Sequence, residues 1–343
     1  MTVIDWLLDS DPSIRWQVMR DLIDAPAESV AAERARVATE GDGARLLALQ
    51  SDDGRWGGAA WNPGWDSTMH VLSLLREMGL DPASVEARRA LGLVCDRVTW
   101  QGCGPQECHG NSFFMGEVEP CINGQVAASG AYFGQDVQGI VDRLLGEQLP
   151  DGGWNCEAEN GSTRSSFNTT ICVLDALLEY ERAIGSSPDV SDSRLRGQEY
   201  LLERRLFRRK STGEVIERDR KGGAAWTCFA FPTWWHYDVL RGLDYLRRAG
   251  VAPDERVSEA IRLVASKRDN SAGGHSTRGT PAECRSTRTK ARASRAGGIR
   301  SAPCACSAGT NGPVPNSSGT CSSPSRDQPI TGDRNRESQH FVT

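Results

Sequence analysis

The chain contains 343 residues and carries a formal net charge of −5 at pH 7, a length that can hold two domains or one large one. No stretch approaches the roughly 20 consecutive apolar residues that a membrane-spanning helix requires. The first residues also lack the basic start and apolar run of a signal peptide. We therefore expect a cytoplasmic protein without a transmembrane segment.

The composition changes at about residue 270. All ten Trp, all five Tyr and every Leu precede this point. Residues 1–269 contain 30 Lys and Arg against 41 Asp and Glu, an acidic balance that argues against nucleic acid as a partner. Residues 270–343 contain ten Lys and Arg against four Asp and Glu. Because this segment has no Leu or Trp, it cannot bury enough apolar surface to offset the loss of conformational entropy on folding. We predict one folded domain over residues 1–270 and a disordered tail over residues 271–343.

Apolar residues recur at helical spacing throughout the first part, and no segment shows the alternation that is typical of a strand. In chain order, the first clear helix is predicted over residues 13–23, with Ser13 as its N-cap, and the second over residues 27–49. The remaining helices are predicted over residues 66–78, 84–98, 120–133, 137–148, 168–184, 193–204, 233–248 and 254–267. More apolar and more polar helices alternate, which predicts an all-α array of helical hairpins; a simple helix bundle is the alternative.

Two turns between these helices share one sequence pattern. Residues 50–56 read QSDDGRW and residues 148–154 read QLPDGGW, so both match Q-x-x-D-G-x-W after a leucine-rich helix end. Asp and Gly favour a tight turn, while Trp covers apolar area and Gln supplies hydrogen bonds. The residues that we interpret as braces of the turns, and not as catalytic residues, are Gln50, Trp56, Gln148 and Trp154.

This repeated turn between alternating helices resembles the repeats of squalene and oxidosqualene cyclases and of protein prenyltransferase β subunits. The resemblance covers residues 10–270. It implies an α/α toroid, in which inner helices surround a central cavity and outer helices surround the inner ones. It also implies a hydrophobic small-molecule ligand of the isoprenoid class.

A third turn of this type is expected after the last predicted helix, but its pattern is broken. Lys267 takes the position of the Gln, and Gly273 stands where the Trp is due. Read two nucleotides later with G/C-rich codons, residues 273–277 can encode Arg-Trp-Pro-Leu-Asp, and residues 295–306 can encode a further inner helix. We hypothesise that the tail is an out-of-frame translation, which leaves the toroid incomplete at its C-terminal end. A basic nucleic-acid arm is the alternative.

Polar residues at the starts of the predicted inner helices are candidates for a functional site, because these helix ends would face one mouth of the cavity. A helix N-terminus favours an anionic group such as a diphosphate, and nearby aromatic residues suit a hydrophobic ligand or a carbocation. The candidate catalytic residues are Glu119, Asn123, His236 and Asp238. The candidate ligand-binding residues are Asp66, Cys121, Asn168, Trp234, Trp235 and Tyr237. Further polar residues at these helix starts are His70, Glu117 and Thr169.

His236, in the sequence Trp-Trp-His-Tyr-Asp, looks like the zinc-binding His of protein prenyltransferases, whose other ligands come from an Asp-x-Cys pair at the start of an earlier inner helix. Here that helix starts with Phe167-Asn-Thr-Thr-Ile-Cys, so the pair is missing. Because a zinc site needs at least three protein ligands, neither zinc nor magnesium has a complete ligand set, and no metal is assigned. A Cys103-x4-Cys108-His109 pattern, with Cys121 further along the chain, is a second metal candidate, with free thiols or a local disulfide as alternatives.

The chain lacks the D-x-D-D motif with which squalene–hopene-type cyclases protonate their substrate, and its folded part is about one toroid long, whereas triterpene cyclases carry two. The resemblance implies an isoprenoid-handling protein, such as a cyclase, a lyase or a transferase on a polyprenyl substrate. The alternative is a non-catalytic α/α toroid that binds a hydrophobic ligand or a protein partner. A deep apolar cavity with the four candidate catalytic residues at one mouth favours an enzyme, and a polar or filled centre favours a binder.

Overall fold

The computed structural model describes residues 2–101, 109–217 and 226–267. Over these ranges the chain forms helices α1–α12 and short 3₁₀ turns, with no strand or sheet beyond three isolated backbone bridges. The predicted all-α fold class is therefore confirmed. None of the helices in these ranges is long and apolar enough to cross a membrane. The predicted tail, and with it the frameshift hypothesis, lies outside the described residues.

In chain order the helices of the described residues are α1 (Val3–Leu8), α2 (Pro12–Asp21), α3 (Ala27–Ala35), α4 (Gly41–Ala48), α5 (Thr68–Glu77), α6 (Val85–Arg97), α7 (Pro120–Tyr132), α8 (Gln138–Gly146), α9 (Phe167–Ile184), α10 (Pro188–Glu203), α11 (Val239–Arg248) and α12 (Ser258–Ser266). Their lengths range from 6 residues in α1 to 18 residues in α9. Several of them are joined by tight turns, and 3₁₀ turns precede α4, α7, α9 and α12.

Helices α5, α7 and α9 form a more buried series, and the neighbouring α4, α6, α8 and α10 are less buried. Every residue of α7 from Pro120 to Ala131 is buried, whereas α6 buries only one face. In chain order, α5 packs against α7, α7 against α9, and α9 against α11. The predicted alternation is thus confirmed as far as α10, but α11 departs from it because it buries only four residues, Val239, Gly242, Tyr245 and Leu246. The closure of the helices into a toroid stays a prediction.

The two most buried helices, α7 and α9, approach each other closely because α7 carries small residues. A Cβ atom at Gly124 would lie 2.6 Å from the main-chain carbon and oxygen of Cys172 on α9. Ala127 and Ala128 are also completely buried. A larger side chain at Gly124 would therefore force the two helices apart and disturb the centre of the fold.

The second repeated turn is braced by three side-chain hydrogen bonds. Gln148 Nε2 donates to the Gly152 carbonyl of its own turn at 2.7 Å and to the Ser193 carbonyl of α10 at 2.8 Å. Trp154 Nε1 donates to the Leu144 carbonyl near the end of α8 at 2.6 Å. The turn is thus tied to the helix before it by the Trp and to a later helix by the Gln.

The first repeated turn has the same three bonds. Gln50 Nε2 donates to the carbonyls of Gly54 and Ala90, each at 3.0 Å, and Ala90 lies on α6. Trp56 Nε1 donates to the Leu46 carbonyl of α4 at 2.7 Å. Since both turns use the same atoms in the same way, the predicted bracing role of these Gln and Trp residues is confirmed.

The predicted N-cap of α2 is wrong by two residues. Asp11 caps this helix, because its carboxylate accepts a hydrogen bond from the main-chain N–H of Ser13 at 2.9 Å, and Pro12 occupies the first helical position. Proline favours that position, where its missing N–H costs nothing. Asp11 also accepts a bond from the N–H of Asp42 at 2.8 Å, which joins the starts of α2 and α4.

Two predicted helices differ from the observed ones because of left-handed backbone conformations. The single helix predicted over residues 27–49 is divided into α3 and α4, with Gly41 at a φ of 67° at the break. The helix predicted over residues 233–248 begins only at Val239, since Trp234 has a φ of 50°. The residues that precede α11 therefore form a loop and not a helix start.

We expect Gln148→Ala to lower the free energy of unfolding by about 1–3 kcal/mol, because it removes one hydrogen bond within the turn and those that join the turn to Ser193 of α10. Equilibrium unfolding in urea, followed by circular dichroism, measures the change. Gln101→Ala, at an exposed position, is the matched control and should alter stability by less than about 0.5 kcal/mol. Equal stabilities of the two variants would contradict the bracing role.

Candidate functional site

A cavity of about 2990 Å³ lies among helices α1–α5, α9 and α11. Its lining is more apolar than polar, with aromatic residues on the loops before α5 and α11 and a group of charges on α5, α9 and α11. Typical small-molecule pockets measure about 300–1,000 Å³. The cavity is therefore large enough for an extended ligand.

An aromatic cluster stands at the side of this cavity. Trp65 and Trp234 stack with ring centroids 6.0 Å apart, and Trp235 stacks on Trp65 at 6.4 Å. Trp65 and Trp234 have positive φ values of 67° and 50°, a conformation that costs about 1–3 kcal/mol for such residues. The surrounding fold must therefore impose this arrangement. The aromatic cluster comprises Trp61, Trp65, His70, Trp234 and Trp235.

His70, in the first turn of α5, is the buried member of the aromatic cluster. Its Nδ1 lies 2.7 Å from the Ser67 hydroxyl, and its buried Nε2 has no hydrogen-bond partner. The rings of Trp65 and Trp234 meet it edge-on at 5.3 and 4.9 Å. Burial lowers the pKa of His70 to about 4, which the charge of Asp66 only partly opposes. The imidazole is therefore neutral at pH 7.

The charged wall of the cavity joins α9 to α11. The Asp175 carboxylate pairs with Arg241 and with Arg248, each at 2.9 Å, and Arg248 also pairs with Glu179. Burial acts to raise the pKa of Asp175, but the arginines outweigh it, so that this pKa lies below its usual value. Asp175 is thus ionised at neutral pH and is paired within the wall.

Two further groups of this wall lie at the end of α5. The Nε and Nη1 atoms of Arg76 are buried without a hydrogen-bond partner. Burial raises the pKa of Glu77, and the charges of Arg76 and Arg241 oppose this only in part. A guanidinium with unused donors on a cavity wall is suited to bind an anionic group.

Three of the predicted site residues line the cavity: Asp66, Trp234 and Asp238. Asp238 is the N-cap of α11, because its carboxylate accepts hydrogen bonds from the N–H groups of Arg241 at 2.8 Å and Ala230 at 3.2 Å. Burial raises the pKa of Asp238 despite these bonds. Both carboxylate oxygens are used by the main chain, so Asp238 positions the loop before α11.

The other candidate catalytic residues lie outside the cavity lining. The Asn123 amide is buried and makes two hydrogen bonds with the main chain of Glu117. Its Nδ2 donates to the Glu117 carbonyl, and its Oδ1 accepts from the Glu117 N–H, both at 2.8 Å. His236 is exposed, with its ring stacked on Trp235 at a centroid distance of 3.8 Å. Glu119 is exposed at the start of α7. Of the four candidates, only Asp238 lines the cavity.

Two predicted ligand-binding residues make contacts within the fold. The Oδ1 atom of Asn168 accepts a hydrogen bond from the N–H of Tyr237 at 2.7 Å. The Tyr237 hydroxyl donates to the Leu206 carbonyl at 2.7 Å, and its ring packs against Phe167 and Trp226. Burial raises the pKa of Tyr237 well above its usual value. These contacts join α9 to the loop before α11.

Cys121 belongs to a separate group, the thiol cluster of Glu119, Cys121 and Cys156. One oxygen and two sulfur atoms of these residues lie within 4.8 Å of one another. The Cys121 Sγ is 3.5 Å from Glu119 Oε2, and the Cys156 Sγ is 3.4 Å from the Thr169 hydroxyl. The neighbouring Cys156 thiol and burial raise the pKa of Cys121. The structure thus brings two predicted residues together with one that the sequence does not single out.

The other metal candidate stays a prediction, because Cys103 and Cys108 lie outside the described residues. His109 is described and is exposed. Four of the described cysteines are free thiols: Cys95, Cys121, Cys156 and Cys172.

The sequence does not predict the charged wall. The predicted site residues lie at the starts of helices, whereas the residues of this wall lie further along α5, α9 and α11. Asp175 carries the one detectable signal, since it interrupts the apolar run ICVLDALL of α9. Arg76 and Glu77 give no such signal, because charged residues are common at exposed helix ends. Their meeting with Arg241 depends on how α5, α9 and α11 pack, which local patterns do not specify.

We expect burial of neutral His70 to make stability depend on pH. Its pKa is about 4 in the folded state against 6.5 for the free group, so the unfolded chain binds more protons between these values. The stability present above about pH 6.5 is lost as the pH falls to about 4, by up to about 3 kcal/mol from this group.

Urea unfolding at several pH values checks this expectation. His70→Gln should lose less stability than the wild type between pH 6.5 and about 4. His109→Gln, which removes an exposed imidazole, should retain the wild-type dependence. The interpretation is wrong if His70→Gln shows the full wild-type loss.

Comparison of the chain with protein-family models, curated proteins and solved structures finds no match. The resemblance to cyclase and prenyltransferase repeats therefore stays a prediction based on the two repeated turns and the alternating helices. The function is inferred below from the chemistry of the cavity and of the thiol cluster.

Proposed function

We propose that the chain binds an amphipathic, anionic ligand of the polyprenyl diphosphate class in the cavity. This proposal agrees with the isoprenoid-handling function that the resemblance of the repeated turns implies, and it assigns binding of the isoprenoid as the primary activity. The observation that carries it is Arg76, whose Nε and Nη1 are buried at the cavity wall without a partner. Unsatisfied buried donors are costly, and an oxyanion would satisfy them.

The balance of charge on this wall favours an anion. Helices α5, α9 and α11 direct five guanidinium groups and four carboxyl groups at the cavity, and burial raises the pKa of one of these carboxyl groups, Glu77. A recessed site with an excess of one sign concentrates ligands of the opposite sign. The charged residues of α5, α9 and α11 that line the cavity are Arg76, Glu77, Asp175, Glu179, Arg182, Arg241, Asp244, Arg247 and Arg248.

The remaining walls suit an extended hydrocarbon. Trp65 and Trp234 line the cavity together with apolar residues of α5, namely Val71, Leu74 and Met78. Burial of apolar surface contributes about 25 cal/mol per Å², so a chain of several isoprene units gains more from this lining than a short one. The cavity volume of about 2990 Å³ leaves room for such a chain.

The proposal includes an α/α toroid, in which the helices close around the cavity. Helices α5, α7, α9 and α11 pack against one another in chain order. Arg247 on α11 lies 3.8 Å from Asp21 on α2, a contact between helices that are far apart in the chain. This contact supports an arrangement in which the helices enclose the cavity.

We expect farnesyl and geranylgeranyl diphosphates to bind the full-length chain more tightly than the corresponding alcohols. Arg76→Gln should weaken diphosphate binding about 10- to 100-fold and leave alcohol binding unchanged, because a hydrogen bond to a charged group contributes about 1.5–3 kcal/mol. Isothermal titration calorimetry and tryptophan fluorescence measure both affinities.

Arg89→Gln on α6, at an exposed position, is the matched control and should bind like the wild type. Trp65→Ala should weaken the binding of diphosphates and alcohols alike, since it removes apolar contact area. Absence of diphosphate binding by the wild type, or equal binding by Arg76→Gln, would overturn the proposal.

A second candidate function is an acid-initiated reaction of the bound isoprenoid. The observation that favours it is Glu77 on the cavity wall, since burial raises the pKa of this carboxyl group and so favours the protonated form that a general acid needs. Trp65 and Trp234, which line the same cavity, would stabilise a carbocation by cation–π attraction.

If Glu77 is the acid, Glu77→Gln should lower turnover at least about 100-fold while diphosphate binding is retained. The measurement is product analysis after incubation with geranylgeranyl diphosphate or squalene, with and without Mg²⁺. Glu86→Gln on α6 is the control and should keep the wild-type rate. A wild-type protein that binds these compounds without forming product would exclude this second function and leave the binding function intact.

A further inference from the structure

A second site lies at the start of α7, outside the cavity lining. We propose that Glu119, Cys121 and Cys156 bind a zinc ion through one carboxylate oxygen and two sulfur atoms, with a fourth position open to water. None of these residues lines the cavity, so the site does not depend on the proposed ligand-binding function.

The distances within the thiol cluster approach those of a zinc site. In a tetrahedral site with zinc–sulfur bonds of about 2.3 Å and zinc–oxygen bonds of about 2.0 Å, ligand atoms lie roughly 3.3–3.8 Å apart. Cys121 Sγ and Glu119 Oε2 are already 3.5 Å apart. All three ligand atoms lie within 4.8 Å of one another, so small side-chain rotations would complete the geometry.

The main chain holds these ligands in well-defined positions. Glu119 is the N-cap residue of α7, and Cys121 follows Pro120, which fixes the first turn of the helix. Cys156 begins a 3₁₀ turn that is capped by the Asn155 side chain, which accepts a hydrogen bond from Glu157 N–H at 3.0 Å. Ligands on helical elements are positioned more precisely than ligands on irregular loops.

Neighbouring groups suit a cluster that carries negative charge. The Thr169 hydroxyl lies 3.4 Å from Cys156 Sγ and can donate a hydrogen bond to a thiolate, as groups around metal ligands commonly do. The cluster also lies at the N-terminus of α7, whose dipole favours negative charge. When the metal binds, each thiol releases its proton, and two thiolates and one carboxylate face a divalent cation.

The donor set selects the kind of metal. Thiolate ligands favour zinc over magnesium or calcium, which prefer oxygen ligands. Three protein ligands with a fourth position for water are typical of zinc sites that act on a substrate, whereas structural zinc sites use four protein ligands. Glu119 is exposed, so water can reach the fourth position.

The test uses the full-length chain, purified with a thiol reductant, freed of metal with a chelator, and then titrated with Co²⁺ and Zn²⁺. Cobalt bound to thiolates gives a sulfur-to-metal charge-transfer absorption, and zinc should displace it. We expect Cys121→Ser and Cys156→Ser each to bind one ion fewer per chain than the wild type and to lose this part of the absorption. Glu119→Gln should keep the absorption with a weaker affinity.

Cys95→Ser, which removes an exposed thiol of α6, is the matched control and should retain the wild-type metal content. Cysteines outside the described residues are present in every variant, so their contribution cancels in the differences. Because Cys121 is buried, circular dichroism is used to check that the Cys121→Ser variant folds. If this variant does not fold, Cys156→Ser, which changes a half-buried residue, is the variant that decides. Unchanged metal content in Cys156→Ser, or a Cys121–Cys156 disulfide in the reduced preparation, would overturn the proposal.

Discussion

The packing of this protein depends on the neutralisation of one carboxylate in the middle of its longest helix. Asp175 is buried on α9, and Arg241 and Arg248 of α11 bind its two oxygens at 2.9 Å. Because an unpaired buried charge costs several kcal/mol, α11 must dock with both arginines directed at α9. Arg241 then also donates to the carbonyls of Trp234 and His236, each at 2.8 Å, and so fixes the loop that carries the aromatic residues.

This constraint gives the cavity two unlike walls. A purely apolar ligand would leave the buried donors of Arg76 unsatisfied, and a purely polar ligand would leave Trp65 and Trp234 in contact with water. An amphipathic ligand with an anionic end satisfies both walls. The thiol cluster lies apart from these walls, so the proposed ligand binding and the proposed metal binding can be tested separately.

Local patterns account for the parts of the fold that the sequence predicts correctly. The bounds of α7 and the bracing by Gln148 follow from residue spacing and from turn chemistry. The start of α11 is not predictable in this way, since the left-handed backbone of Trp234 depends on contacts with Trp65. The meeting of Cys121 with Cys156, like that of Arg76 with α9 and α11, joins segments far apart in the chain, and such contacts require the tertiary structure.

The side-chain hydrogen bonds of the repeated turns also affect which parts of the chain unfold first. Gln50 and Gln148 each reach forward, to carbonyls 40 and 45 residues further along the chain. Lys267, which takes the corresponding position after α12, instead donates back to the Thr227 carbonyl. The hairpins are thus coupled to their neighbours in chain order, as in a one-dimensional array. Amide hydrogens in α7 and α9 should therefore exchange with solvent last, with protection declining toward α12.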